Sequence, residues 1–182
     1  GINSANELGS VETKYPDQKL IGNGGLSILG HAFDLNRYKH TSEYYLTYLL
    51  SAAKNEDPPI ETPAYDYTEL NYGGDVYSKT AIVFDYLKKY LGDDKYDAAM
   101  QKYFEEWHFK HPMPEDFRKV MEQETGKDLS WFFDGLINST KKLDYKVTYV
   151  YHRDDGAWDI GVQNTGEIKG PVIIYGVKDK KL

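Results

Sequence analysis

The sequence reads GGDVYSKTAIVFDYLKKYLG from residue 73 to residue 92, and this stretch predicts an amphipathic helix. One face of the helix is apolar and consists of Val83, Phe84, Leu87 and Leu91. Gly92 is the residue type that ends helices in a left-handed conformation. Tyr77 is then expected at the helix start, after the flexible Gly73-Gly74 pair and beside backbone N–H groups without a helical partner. Because a phenol has a pKa of about 10, its hydroxyl can donate a hydrogen bond to developing negative charge at neutral pH.

Three further helices are predicted after Gly92. The first ends near Trp107, with Asp93 or Asp94 as its cap, and its apolar residues recur at intervals of three and four: Tyr96, Ala99, Met100, Tyr103, Phe104 and Trp107. The second begins at Pro114 and ends at Gly126, with Phe117, Val120 and Met121 facing inward. Met113 occupies its cap, so we expect that end to be weaker by about 1 kcal/mol. Asp128 caps the third, whose residues Leu129, Phe132, Phe133, Leu136 and Ile137 are expected to pack in a core.

Two helices are predicted before the quoted stretch. Residues 2–13 form the first, and residues 42–55 form the second. The inner face of the second helix is expected to carry Tyr45, Leu46, Leu49, Ala52 and Ala53. Residues 26–33 are apolar and fit either a helix or a buried turn. Residues 58–72 are predicted to be an extended loop that is rich first in proline and then in tyrosine.

The apolar period changes from helical to two near residue 142. Alternation around a turn at Asp154-Asp155-Gly156 predicts a hairpin, and a second turn at Asn164-Thr165-Gly166 leads to a third strand at Val172–Val177. The predicted fold class is therefore mainly α with a small β part (α+β), the β part being a short antiparallel meander. The expected domains are a helical part at residues 1–141 and an antiparallel β segment at residues 142–182.

Several short motifs carry a family resemblance. They read Tyr77-Ser78-Lys79-Thr80-Ala81, YLGD at 90–93, YFEEW at 103–107, HPMPEDF at 111–117 and GKDLSWFF at 126–133. In order and spacing they resemble the second half of the catalytic domain of an M1-type (gluzincin) metallo-aminopeptidase, and the bacterial branch fits best. The resemblance implies the helical subdomain of a thermolysin-like catalytic domain, with residues 142–182 as the start of a β-sandwich domain.

The resemblance also implies a role for Tyr77, because the matching tyrosine of the family donates its hydroxyl to the tetrahedral intermediate. Tyr72, five residues earlier across Gly73-Gly74, is a weaker candidate for lining the substrate cleft. A peptide substrate follows for the intact protein, and the family slightly favours an exported location, in the periplasm or outside the cell. The alternative reading of Tyr77 is structural, since it is one of 17 tyrosines and could simply pack a helix start.

The zinc motif of that family is missing from the sequence. The family binds zinc through His-Glu-x-x-His on one helix and a glutamate on the next, whereas the five histidines here are scattered. His108 and His111 are expected to be exposed residues at a helix end. We therefore expect zinc in the intact parent protein and no metal ligand or cofactor in this chain.

The first residues suggest a register for the missing part. Gly1-Ile2-Asn3-Ser4 is similar to the family stretch that follows the third zinc ligand, although Gly1 could equally be a cloning remnant. In that register the N-terminal half of the catalytic domain is the chain's missing partner. The sequence then predicts a fragment of a zinc-dependent aminopeptidase that is inactive alone.

Composition excludes several classes of protein. With 182 residues, 40% hydrophobic and 15% aromatic, the chain can bury a core. A net charge of −7 disfavours nucleic-acid binding, which needs clustered Lys and Arg. The sequence has no cysteine for disulfides or thiolate metal sites, and no apolar run of about 18 residues that predicts a membrane span.

A second function of a different class is compatible with the same residues. A helical interaction module could use the tyrosine-rich residues 64–77 to bind a peptide or a protein without any chemistry. The sequence immediately upstream of Gly1 discriminates between the two functions, because His-Glu-x-x-His followed by a glutamate there indicates an enzyme.

Overall fold

The structure, a computed structural model, describes residues 2–20, 38–52, 57–68 and 71–175. Five α-helices are described: α1 Ile2–Lys14, α2 Ser42–Ala52, α3 Thr80–Leu91, α4 Asp93–Trp107 and α5 Pro114–Thr125. Two π-helices, Tyr72–Lys79 and Trp131–Ile137, and a 3₁₀ turn at Ala64–Asp66 lie between them. The strands β1 Tyr145–His152 and β2 Trp158–Asn164 follow. This order confirms the predicted class, mainly α with a small β part.

The chain divides into two compact units. One unit contains Gly1–Lys89 with Ile137–Ser139, and the other contains Tyr90–Leu136 with Thr140–Leu182. Within the described ranges, no helix is both long and apolar enough to cross a bilayer.

The first unit confirms one predicted apolar face and corrects another. α1 buries Leu8, and α3 buries the predicted residues Val83, Phe84 and Leu87 together with Ala81. On α2, however, the expected inner residues Tyr45, Leu46 and Leu49 are exposed. The run YYLTYLL is apolar almost all round, so its pattern does not select one face. Ala53 and the ambiguous residues 26–33 lie outside the described residues.

The helix that carries Tyr77 begins earlier than predicted. Gly73 and Gly74 lie inside the π-helix Tyr72–Lys79 instead of forming a flexible lead-in. The Thr80 N–H donates to the carbonyl oxygen of Asp75, five residues back, which is the π-helical pattern. Tyr77 is therefore in the interior of a helical segment, and its predicted place at a helix start is wrong.

The second unit includes the last residues of α3 and all of α4, with Gly92 between the two helices. Gly92 has φ +82° and ψ 153°, so it has the predicted positive φ but an extended ψ. It also occupies the cap position of α4, which places Asp93 and Asp94 in the first turn instead of at the cap. Tyr96 and Ala99 are buried as predicted. Phe104, predicted to face the core, is 66% exposed.

The helix α5 matches its predicted face and ends. Phe117, Val120 and Met121 are buried, and Gly126 ends the helix in the left-handed region at φ 63° and ψ 25°. Met113 is at the cap, where its own N–H donates to a carboxylate oxygen of Asp116 at 2.9 Å. This bond supplies the second half of a capping box and partly compensates for the missing cap oxygen.

The second π-helix provides much of the aromatic core of its unit. Asp128 accepts hydrogen bonds from the N–H and the hydroxyl of Ser130, and these bonds lower the pKa of the Asp128 carboxyl. The packing role predicted for the residues after this cap is confirmed, because all five are buried: Leu129, Phe132, Phe133, Leu136 and Ile137.

The β part is a hairpin of two strands. β1 and β2 pair antiparallel from Tyr145 opposite Asn164 to His152 opposite Trp158, with an irregularity between Val147 and Tyr149. The predicted third strand is wrong for the described residues 172–175, which form no strand, and residues 176–177 lie outside the description. The segment after β2 is held by other contacts, since Ile168 is buried and the Tyr145 hydroxyl donates to the Gly170 carbonyl oxygen at 2.6 Å.

A tyrosine cluster as the candidate functional site

Tyr72 and Tyr77 are neighbours in the first π-helix. Because π-helical hydrogen bonds join residues five apart, this interval places the two side chains on one side of the segment. Their ring centroids are 5.5 Å apart and the rings meet edge to face at 78°. Tyr77 is 46% exposed, so its phenol is accessible. The structure thus brings together both site residues that the sequence predicts.

The two hydroxyl groups interact directly. A hydrogen bond to the Tyr72 hydroxyl is the largest cause that raises the pKa of Tyr77 above its ordinary value. The phenol of Tyr77 is therefore protonated at neutral pH. It can donate a hydrogen bond to an acceptor that replaces Tyr72.

Tyr67 adds a third ring that sequence reasoning missed. Its ring centroid lies 5.7 Å from that of Tyr72, again edge to face. Its hydroxyl donates to the carbonyl oxygen of Pro59 at 2.7 Å, with that of Ile60 at 3.2 Å. The repeated interval of five residues from Tyr67 to Tyr72 to Tyr77 was a signal in the sequence that could have found it. We call these three residues the tyrosine cluster.

Charged side chains are buried next to the tyrosine cluster. Lys79 Nζ lies 3.3 Å from Asp57 Oδ2, and the two side chains are only 4% and 2% exposed. Lys79 Nζ also lies 5.9 Å from the centre of the Tyr48 ring, while Asp75 is fully buried. Burial, followed by the negative charges of Asp57 and Asp75, raises the pKa of Tyr48 to about 12. Sequence reasoning missed this group, because an ion pair across 22 residues has no local pattern.

The described residues do not fit a zinc site. Among residues 2–20, 38–52, 57–68 and 71–175, no group of three or more His, Cys, Asp or Glu side chains could hold a metal ion. His108 and His111 are exposed near the end of α4, as predicted. The chemistry available at the tyrosine cluster is therefore hydrogen bonding by neutral phenols.

Comparison with known proteins identifies the family. The family described as Peptidase family M1 domain matches residues 27–136, which is more than half of the chain. The chain belongs to peptidase family M1. The M1 match includes the whole tyrosine cluster together with Asp57 and Lys79.

One curated relative of this M1 chain is Aminopeptidase M1-B from Oryza sativa subsp. japonica. It is 28% identical over 96 residues, which are 52% of this chain and 11% of the relative. The chain thus aligns with only a small part of that protein's length. No solved structure matches the chain.

Proposed function

We propose that this chain supplies part of the catalytic domain of a zinc-dependent aminopeptidase, and that Tyr77 stabilises the oxyanion of the tetrahedral intermediate. The observation that carries the proposal is the exposed, protonated phenol of Tyr77 within the region that matches peptidase family M1. A peptide with a free N-terminus is the proposed substrate.

The contribution of Tyr77 follows from the charge that develops during the reaction. Attack on a peptide carbonyl converts its oxygen into an oxyanion, and a hydrogen bond to an ionised acceptor is stronger than one to a neutral acceptor. A donor that is already in place therefore stabilises the transition state more than the bound substrate. In the resting protein the hydroxyl of Tyr77 is bonded to Tyr72, so the substrate oxygen takes the place of Tyr72 as acceptor.

Tyr72 is proposed to line the substrate cleft beside Tyr77. The support for this role is the contact between the two rings, whose centroids lie 5.5 Å apart. Zinc belongs to the proposal for the intact protein, on the basis of its family. The described residues contain no group of three or more side chains that could hold it, and the contribution proposed for this chain is the pair of phenols.

The decisive experiment removes one oxygen atom from the intact protein. In Tyr77→Phe we expect kcat to fall by about 10²–10³, the loss typical of one oxyanion donor. KM should change little because the ring stays, and metal content and melting temperature should hold because the side chain is partly exposed. Steady-state kinetics on an amino-acid anilide measures the first two quantities.

The matched control is Tyr65→Phe, which makes the same chemical change at a tyrosine that is 86% exposed and outside the tyrosine cluster. It should keep the parent kcat. Activity of Tyr77→Phe within twofold of the parent would contradict the proposed role.

The alternative, a non-catalytic module that binds peptides or proteins, is favoured by the exposure of Tyr65 and Tyr77. Both rings are accessible to a peptide or a protein, and such binding needs no catalysed reaction. Absence of turnover in the intact parent, together with peptide binding that weakens in Tyr65→Ala, would support the module instead of the enzyme.

A further inference from the structure

The first π-helix is held by the segment at residues 57–68 at two points. Near its start, the ring of Tyr72 packs against that of Tyr67. At its end, Lys79 Nζ lies 3.3 Å from Asp57 Oδ2. The segment itself folds back, because the Tyr67 hydroxyl donates to the Pro59 carbonyl oxygen. It is also attached to the end of the second π-helix, since the Ile60 N–H donates to the carbonyl oxygen of Ile137.

Lys79 is suited to fixing the turn that presents Tyr77. It follows Tyr77 by two residues and is the last residue of the π-helix. Both partners of its ion pair are almost completely buried, and the contact with the Tyr48 ring adds a third element, α2. A buried ion pair favours one geometry, since displacement weakens the attraction between its two charges in a medium of low polarity.

The π-helix needs such a restraint. π-helical geometry is rare and usually limited to single turns. Gly73 and Gly74 have little conformational preference of their own, so this sequence does not fix the turn by local propensity. The interval that brings Tyr72 against Tyr77 therefore depends on contacts outside the turn.

We propose that Lys79 and Asp57 are positioning residues, whose buried ion pair fixes the π-helical turn so that the Tyr72 and Tyr77 rings meet edge to face. The consequence for catalysis rests on the role proposed above for Tyr77. The effect of the ion pair on the contact between Tyr72 and Tyr77 does not rest on that role, and it can be measured in the absence of activity.

The geometric test uses NMR spectroscopy of the full 182-residue chain. The variants are Lys79→Met, which breaks the pair, and the double variant Asp57→Asn/Lys79→Met, which removes both charges at nearly constant volume. In each folded variant we expect loss of the ring-to-ring nuclear Overhauser effects between Tyr72 and Tyr77, and a fall in the pKa of Tyr77. The double variant leaves no charge buried, so it should be more stable than Lys79→Met, but an amide beside a thioether has no strong directional contact and should not restore this signature.

The matched control is Lys102→Met. Lys102 Nζ lies 3.3 Å from Glu106 Oε1, the same separation as in the buried pair, but both side chains are more than 40% exposed. This variant should keep the parent signals of Tyr72 and Tyr77. Unchanged signals in a folded double variant would overturn the proposal, as would loss of the fold in both Lys79 variants, because the pair would then support the whole unit and not the turn.

The catalytic part is tested in the intact protein. The double variant should lower kcat at least tenfold with KM within twofold, and adding Tyr77→Phe to it should cause less further loss than Tyr77→Phe causes in the parent. If Tyr77→Phe alone has no effect on kcat, the oxyanion role fails while the NMR result still decides the positioning role.

Discussion

Tyr48 is a phenol that the fold keeps protonated beyond the usual range. Its ring faces the Lys79 ammonium, and burial together with the charges of Asp57 and Asp75 raises its pKa to about 12. In the unfolded chain a tyrosine releases its proton near pH 10. Between these two values the native state holds one more proton than the unfolded state, so raising the pH stabilises the unfolded state.

This coupling between proton binding and folding predicts how Tyr48→Phe changes the pH dependence of stability. The parent should lose stability as the pH rises from about 10 towards 12, and the variant should lose less over that range. Urea unfolding midpoints at pH 8, 9.5 and 11 measure the difference. Tyr65→Phe, at an exposed position, should follow the parent. If the urea midpoint falls equally with pH in the parent and in Tyr48→Phe, the raised pKa of Tyr48 is refuted.

At the residue scale, the sequence predicted chemistry that depends on motifs and missed chemistry that depends on packing. Tyr77 and Tyr72 follow from a local motif and its spacing. Their mutual contact, the third ring of Tyr67 and the Lys79–Asp57 pair depend on where separate segments meet. The roles of Tyr77 and Tyr72 stay predictions, whereas their proximity is a structural finding.

At the scale of elements, the regular helices could be predicted and the π-helix could not. α3 and α5 have a clear 3.6-residue apolar period and a glycine after the last turn; α5 matches both of its predicted ends, and α3 matches its predicted end. A glycine pair is ordinarily a helix breaker, so Gly73-Gly74 gave no signal for a π-helix. Similarly, the apolar residues Val172–Tyr175 have strand composition, but a strand also requires a partner with free backbone groups.

The turn after β2 shows how closely segments approach without any local signal. Gly166 has no unusual φ, yet a Cβ at this position would collide with the backbone oxygen of Lys142 and lie 2.6 Å from the backbone nitrogen of Asp144. Its own N–H donates to the Asp144 carbonyl oxygen at 3.1 Å and to Asn164 Oδ1 at 2.8 Å. The backbone at Gly166 and the backbone at residues 142–144 therefore lie at a separation that only glycine at position 166 allows.

This contact predicts the effect of Gly166→Ala. The added methyl group meets backbone atoms that cannot rotate away, so we expect a loss of about 1–3 kcal/mol in the free energy of unfolding, as for overpacking elsewhere. Chemical denaturation monitored by the fluorescence of Trp158 and the other tryptophans measures it. Glu167→Ala, at the exposed next position, is the control and should change stability by less than about 0.5 kcal/mol. A neutral Gly166→Ala would show that the turn can open at little cost.

At the scale of the whole molecule, the phenols and the metal motif of the family are separated in sequence. The 182 residues contain no His-Glu-x-x-His, and the five histidines are far apart in sequence except for His108 and His111. These two are exposed beyond α4. In the proposed function the chain offers a hydrogen-bond donor to an oxyanion, and the activation of the nucleophile is assigned to other residues of the intact protein.

The 182-residue chain alone is therefore expected neither to bind zinc tightly nor to hydrolyse amino-acid anilides. A catalytic zinc needs about three protein ligands in tetrahedral positions, and the described ranges provide no such group. An isolated donor such as Tyr77 cannot substitute, because it stabilises an oxyanion that forms only after a nucleophile attacks. Isothermal titration calorimetry with zinc, and anilide turnover with and without a chelator, test both statements, with the intact protein as the positive control in the same buffer. Zinc binding at one equivalent per chain, or turnover that the chelator abolishes, would mean that this chain holds a metal site of its own. The proposal that this chain contributes the phenols but not the zinc ligands would then be wrong.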